Sequence, residues 1–292
     1  MTNRQKNNLV GYLFLSPFLI LFTVFIAIPV ITSAWLAFVQ LDLANKADLK
    51  FVGFQNFTDA FNDQFFWKAV GATGYYSILM VPSVIIIGTA LAIGMNRMSR
   101  GRDVVRSLIY LPSMLNVAVT GILWQWFFNN EFGLFNHFIK KTGAPGVPWL
   151  TDDRFAMPSV VLMTLWWTVG GTSVIILTAL QQIPNMYFEA ASLDGANDRQ
   201  IFSKVMIPLL KPVLLFVFVT TTIASFQMFP QAAILTGGGP EFKTRGVVQY
   251  MFETAFNGYR FGYGAAISWL LFIGTMIFSF IQARIMRDRV DA

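Results

Sequence analysis

MPSVVLMTLWWTVGGTSVIILTALQQ, residues 157–182, runs for 26 positions without one Asp, Glu, Lys, Arg or His. A helix rises about 1.5 Å per residue, so roughly 20 such residues cross the apolar core of a bilayer. Working outward, five more charge-free stretches appear, at Val10–Val39, Ala69–Met95, Ser107–Phe128, Pro212–Ala232 and Tyr263–Ala283. The chain is 55% hydrophobic and 12% charged, with 30 Phe in 292 residues. An ordinary soluble domain carries about 25% charged residues. So much apolar surface is stable only with lipid as its solvent. The expectation is an all-α integral membrane protein with six transmembrane helices in one domain over residues 1–292: a first span at 10–39 and a core of five spans at 69–285. The first, second and fourth runs exceed 25 residues, which predicts tilt or broken ends. Pro17, Pro29, Pro82 and Pro112 lie inside or at the start of spans, where neighbouring helices can satisfy the freed backbone groups.

Orientation follows from Lys and Arg in the loops. With both termini cytoplasmic, the inner side holds Arg4, Lys6, Arg97, Arg100, Arg102, Arg106, Arg199, Lys204, Lys211, Arg284, Arg287 and Arg289, against six acidic residues. The outer side balances nine basic with nine acidic residues, so the net +6 lies on the cytoplasmic face. The basic balance is therefore a topology signal and does not point to nucleic acid. The apolar run at the N-terminus is too long for a signal-peptide core, and no small-residue cleavage site follows it, so it reads as an uncleaved first span.

Much chemistry is excluded. There is no Cys and one His, His137, so thiolate metal sites, disulfides and His-based triads have no material. No paired carboxylates or activated nucleophile suggest an enzyme, and neither a catalytic nor a metal site is expected. No ionisable residue sits inside a span, which disfavours a proton-driven carrier. The nearest thing to a phosphate loop is Gly237-Gly238-Gly239-Pro240, followed by Lys243-Thr244. Its spacing is wrong, Pro240 removes an amide donor, and it lies on the outer side. It reads as a tight turn.

The charge-free interior suits a neutral, polyhydroxylated solute. Such a solute needs hydroxyls, amides and flat aromatic faces, and three spans offer them. Trp166, Trp167, Thr168 and Thr172 lie in the fourth, Ser225, Phe226, Gln227 and Phe229 in the fifth, and Asn116, Thr120 and Gln125 in the third. Taken singly, each is better explained by helix packing or an interfacial belt. The Trp166–Thr172 and Ser225–Phe229 groups are expected to line a substrate pathway. In the outer loops, Phe54/Phe57/Phe61, Phe132/Leu134/Phe135/Phe138/Ile139 and Val247/Val248/Met251/Phe252/Phe256 have helical apolar spacing. They fit surface helices, a docking face for an outside partner, or lids on the bundle.

The long inner loop, residues 183–211, opens with IPNMYFEAASLDGANDRQIFSKVMIP (183–208). It reads as two short helices bent at Gly195, the second ended by Pro208. This stretch closely resembles the EAA signature of binding-protein-dependent ABC importer permeases. In that pattern Glu-Ala-Ala is followed by three spacers and Gly, then by nine more residues, an aliphatic pair and Pro. Glu189, Ala190, Ala191, Gly195 and Pro208 match it, with Val205 and Ile207 as the aliphatic pair. Phe51-Val52-Gly53-Phe54-Gln55-Asn56-Phe57 is similar to the opening of the maltose and glycerol-3-phosphate permease group. Pro112, Trp124, Gly133, Asn136 and Leu235–Pro240 also resemble that group.

The resemblance implies a type I ABC importer permease fold in the bacterial cytoplasmic (inner) membrane. It implies a second homologous permease subunit, two ATP-binding subunits carrying ATP and Mg, and an extracytoplasmic solute-binding protein. This chain itself would bind no cofactor. The coupling residues are then Glu189, Ala190, Ala191, Asp194 and Gly195, seated in a cleft of the ATPase. A sugar, oligosaccharide or polyol is the expected solute, with a glycerol phosphate as the alternative. A self-sufficient carrier or channel is the competing class, and it would move solute without ATP.

Overall fold

The computed structural model describes residues 3–41 and 49–287. Asp288, Arg289 and Asp291, and part of the first outer loop, lie outside the described residues. The chain divides into two compact units, one of residues up to Asp63 with Met251–Leu270, the other of Gln64–Tyr250 with the residues from Leu271 onward.

The first unit begins with α1 (Asn3–Phe22), a π-helical turn at Thr23–Ala27 and α2 (Ile28–Leu36). From Tyr12 to Ile31 the large apolar side chains of this span are exposed. A two-residue antiparallel ladder follows, β1 (Val39–Gln40) on β2 (Lys50–Phe51), with Val39 opposite Phe51. It is an exception to the all-α reading, too short to signal itself by alternation. The surface helix α3 (Gln55–Asn62) is tied to it by the buried Asn56, whose amide donates to the Ala37 and Val39 carbonyls at 2.9 and 3.0 Å.

The second unit is built on α4 (Gln64–Arg97) and α8 (Asp153–Gln181), which pack along their length. Tyr76, Met80, Val84, Met163, Ile176 and Leu177 are buried between them and their neighbours. In lipid, helices associate through close van der Waals packing, and small residues permit it. A Cβ built on Gly88 of α4 would lie 3.3 Å from Thr172 Cγ2 of α8. Asp152 caps α8 by accepting from the Arg154 amide at 2.8 Å. Hydrogen bonds from Arg154 hold the Asp152 carboxyl below its usual range.

The third expected span is not one helix. It is α5 (Arg102–Tyr110), a 3₁₀ turn at Leu111–Met114 and α6 (Val117–Phe127), bent by 99°. Pro112 sits in the tight turn, Leu115 is extended, and the Asn116 side chain caps α6 by accepting from the Ala118 amide at 2.8 Å. A new cap means a new helix with its own direction. A Cβ on Gly170 of α8 would overlap the Ile109 carbonyl oxygen, so glycine is what lets α5 lie against α8. Among the described residues there are thus five long apolar helices, or six spans when the bent pair counts as one.

The fifth span also differs from expectation. Pro208 does not end a helix: α10 (Asp198–Gln200) runs through a π-helical segment, Ile201–Met206, into α11 (Ile207–Phe226). The π segment lies just before Pro208, in the turn that a proline ring crowds. The span then stops at Phe226 rather than Ala232, and α12 (Pro230–Thr236) starts afresh with Pro230 in its first turn. The remaining elements are α7 (Leu134–Lys141), α9 (Asn185–Leu193), α13 (Val247–Phe252), a π turn at Glu253–Asn257 and α14 (Phe261–Arg287).

Candidate functional site

A cavity of about 430 Å³ opens between α4, α8, α11 and the start of α12. From α4 it takes Tyr76, Met80 and Val84, which are four residues apart and form one ridge. From α8 come Thr164, Trp167, Thr168 and Thr172, again with the threonines four apart. Thr220, Thr221, Ala224 and Ser225 of α11, with Gln227 and Gln231, close the wall. No Asp, Glu, Lys, Arg or His is among the lining residues.

The polar groups divide into held and available. Thr168 Oγ1 donates to the Thr164 carbonyl and Thr164 Oγ1 to that of Val160, both at 2.8 Å. Ser225 Oγ lies 2.7 Å from Ser77 Oγ and 2.7 Å from the Thr222 carbonyl, joining α11 to α4. The Gln231 amide donates to the Tyr76 hydroxyl at 3.4 Å. Trp167 Nε1 donates to the Leu115 carbonyl at 3.0 Å, which fixes the indole and leaves its ring face as what it can offer. Among the described residues, Thr172, Thr221 and Gln227 have no side-chain hydrogen bond to the protein. Hydroxyls and an amide with spare bonding capacity beside a fixed aromatic ring can bind a hydroxylated solute without charge.

Of the polar and aromatic candidates drawn from the sequence, Trp167, Thr168, Thr172, Ser225 and Gln227 line this cavity and six others do not. Trp166 turns toward α6 and packs on Trp124, ring centroids 5.7 Å apart. Phe226 packs on Phe278 at 5.3 Å. Phe229 is the residue before α12, and Asn116 is the cap of α6. Thr120 is buried in α6, and the Gln125 amide donates to the Ile234 carbonyl. Sequence reading missed Tyr76, Thr164, Thr220, Thr221 and Gln231. The threonines at 164, 168 and 172 carried a signal in their spacing; Tyr76 carried none.

At the cytoplasmic end, α9 carries Glu189, Ala190 and Ala191 and stops in a complete Schellman motif. The Ala196 amide donates to the Ala191 carbonyl at 3.0 Å and the Gly195 amide to that of Ser192 at 3.1 Å. Asp194 is the C-cap, and Gly195 has φ +81°. Asn197 then opens the next helix with a capping box, exchanging bonds of 2.9 and 3.0 Å with Gln200. The bend is therefore defined on both sides. Glu189, Ala190, Asp194 and Gly195 are exposed and Ala191 is half-buried. Beside them Leu193 is 89% and Met186 66% exposed, which gives this end of the unit an exposed apolar face. Asp198 lies 3.7 Å from Arg97 at the end of α4.

Residues 84–290 match the family described as binding-protein-dependent transport system inner membrane component. The chain belongs to that family. A probable ABC transporter permease of Bacillus subtilis, YesP, is 34% identical over 92% of this chain and 87% of its own length. The trehalose/maltose transport system permease protein MalF of Thermococcus litoralis is 31% identical over 96% of this chain and 95% of its own. A bacterial alginate ABC transporter crystallised with its pentasaccharide-bound periplasmic protein has the same fold, TM-score 0.84 at 21% identity, covering 98% of this chain and 96% of that one. This chain is thus a multi-pass inner-membrane permease component with the type I ABC importer fold. Permease components of this family work with a paired permease, an ATPase and a solute-binding protein. ATP hydrolysis resides in the separate ATPase subunit, not in this chain.

Proposed function

We propose that this chain forms half of the pathway of an ATP-driven importer for a neutral sugar, oligosaccharide or polyol, and that solute passes through the cavity of Tyr76, Trp167 and Gln227. The observation that carries the substrate class is the lining itself: about 430 Å³, within the range of small-molecule sites (~300–1,000 Å³), with threonines, glutamines and an indole face and no charge. Relatives whose names specify trehalose/maltose and lactose support the same class. A glycerol phosphate would meet no counter-charge in this cavity.

Coupling runs through the loop at 183–211. Glu189, Ala190, Ala191, Asp194 and Gly195 contact the ATPase, with Leu193 and Met186 as the apolar part of the same face. Closure of the ATPase pair moves α9, and α9 moves α11 through the π segment against which it packs. The second permease subunit is a different homologue of this chain.

The test is import by the assembled transporter in proteoliposomes. Trp167→Ala and Gln227→Ala are expected to lower import about tenfold or more while leaving subunit assembly unchanged. Loss of assembly in both would make them packing residues and remove the cavity from the pathway.

A further inference from the structure

A second cavity, of about 320 Å³, lies on the outer side beneath the turn after α12. Lys68, Gly71, Ala72 and Tyr75 of α4 form one wall, and Glu241, Phe242 and Lys243 form the other. Lys68 and Ala72 continue, at four-residue spacing, the same α4 ridge that carries Tyr76, Met80 and Val84 lower down. The opposite walls are continuous too, since Gln231 of the inner cavity lies in the first turn of α12, which leads into the turn after it. The two cavities are stacked along α4, with centres roughly 13 Å apart at about 1.5 Å per residue.

The outer wall is held rigid. Glu241 and Phe242 have φ +44° and +65°, a conformation rare for such residues. Thr244 Oγ1 donates to the Gly239 carbonyl at 2.7 Å and lies 2.6 Å from Thr236 Oγ1. The Phe242 ring is packed between Phe65, at 5.3 Å, and the Arg245 guanidinium, at 4.0 Å. Lys243 is within 4.0 Å of Asp153. Among the described residues, neither Lys68 nor Glu241 has an ion-pair partner, and Tyr75 is 46% exposed. Two aromatic side chains, an ammonium that donates and a carboxylate that accepts surround one cavity of small-molecule size.

We propose that this cavity is an outer carbohydrate subsite, holding a pyranose ring before it moves down the α4 ridge to the inner cavity. Tyr75 and Phe242 supply apolar ring contact, Glu241 accepts hydrogen bonds from hydroxyls, and Lys68 donates hydrogen bonds to ring substituents. The inference rests on the carbohydrate reading above.

The chain has no cysteine, so a single introduced thiol is a unique label on it. A Cβ at Gly71 meets nothing within 4 Å, so Gly71→Cys fits. In the assembled transporter in proteoliposomes, without binding protein, maleimide labelling of Gly71→Cys is followed with maltose, trehalose and lactose at millimolar concentration. At least one sugar is expected to slow labelling about fivefold or more. Phe138→Cys, on the exposed face of α7, is expected to be unaffected. Adding Lys68→Gln and Glu241→Gln is expected to abolish protection of Gly71→Cys while the subunits still co-purify. Protection of Thr168→Cys in the inner cavity but not of Gly71→Cys would overturn the outer subsite and leave the pathway reading standing. Protection at neither position would overturn both.

Discussion

Trp166 and Trp167 are adjacent in sequence and about 100° apart around α8. That angle separates a packing residue from a cavity residue. Trp167 faces the cavity with its indole N–H tied to Leu115, whereas Trp166 packs against Trp124. Trp166→Ala is therefore expected to cost about 1–3 kcal/mol of packing and to lower the thermal stability of the purified complex. Trp167→Ala is expected to lower import with little change in stability. Composition and hydropathy treat the pair alike, which is why the sequence grouped them. Gly195 is the opposite case, because its spacing from Glu189 was legible and the structure adds φ +81° with open space around a would-be Cβ. Substitution there is limited by backbone conformation, not by room. Gly195→Val, at about 1–2 kcal/mol of strain, is expected to abolish import, and Gly195→Asn, which tolerates this conformation better, to retain part of it. Equal import by both variants would show that the bend is not used.

At the scale of elements, each charge-free run in the sequence overlaps a long apolar helix, or the bent pair, among the described residues, because lipid disfavours unpaired charge along a whole helix. They could not locate breaks, because hydropathy is blind to direction. The third run stays apolar through its 99° bend, and only Pro112 and the cap Asn116 mark it. The fifth run stays apolar past Phe226, and only Pro230 marks the new helix. The close approach of α5 to α8 depends on a single glycine. Gly170→Leu is expected to force these helices apart at about 1–3 kcal/mol, read as loss of folded protein in detergent. Gly171→Leu, one position on, where the nearest atom outside the helix is a Tyr110 ring carbon at 3.9 Å, is expected to be much milder. The end of α4 is fixed differently. Arg102 donates to the carbonyls of Met95, Asn96 and Met98, each at 3.0 Å, closing the helix from the next element. Arg102→Ala is expected to lower the melting temperature of the complex by a few degrees, as loss of about 1–2 kcal/mol would. By contrast the Arg97–Asp198 pair is exposed on both sides, and Arg97→Gln is expected to change stability by under about 0.5 kcal/mol.

For the whole molecule, one arrangement links these parts. The α4 helix carries both cavities on its outer and middle turns, α8 supplies the aromatic and hydroxyl wall, and α11 joins that wall to the loop at 183–211 through its π segment. The loop's bend was legible in the sequence because it is a local pattern of short side chains around one glycine. The cavity was only half legible because it is assembled from four elements far apart in sequence. The Gln231 amide donates to the Tyr76 hydroxyl at 3.4 Å, and the two residues are 155 positions apart in sequence. The central claim is that this chain acts as one permease of a pair driven by an ATPase through α9. The most direct measurement is to tag the chain in its native membrane, purify it, and assay ATP-dependent solute import by what comes with it. Co-purification of a P-loop ATPase and a second permease bearing the same loop, with import that requires ATP and fails with Gly195→Val, is the predicted result. A chain that purifies alone and moves solute without ATP would contradict the account.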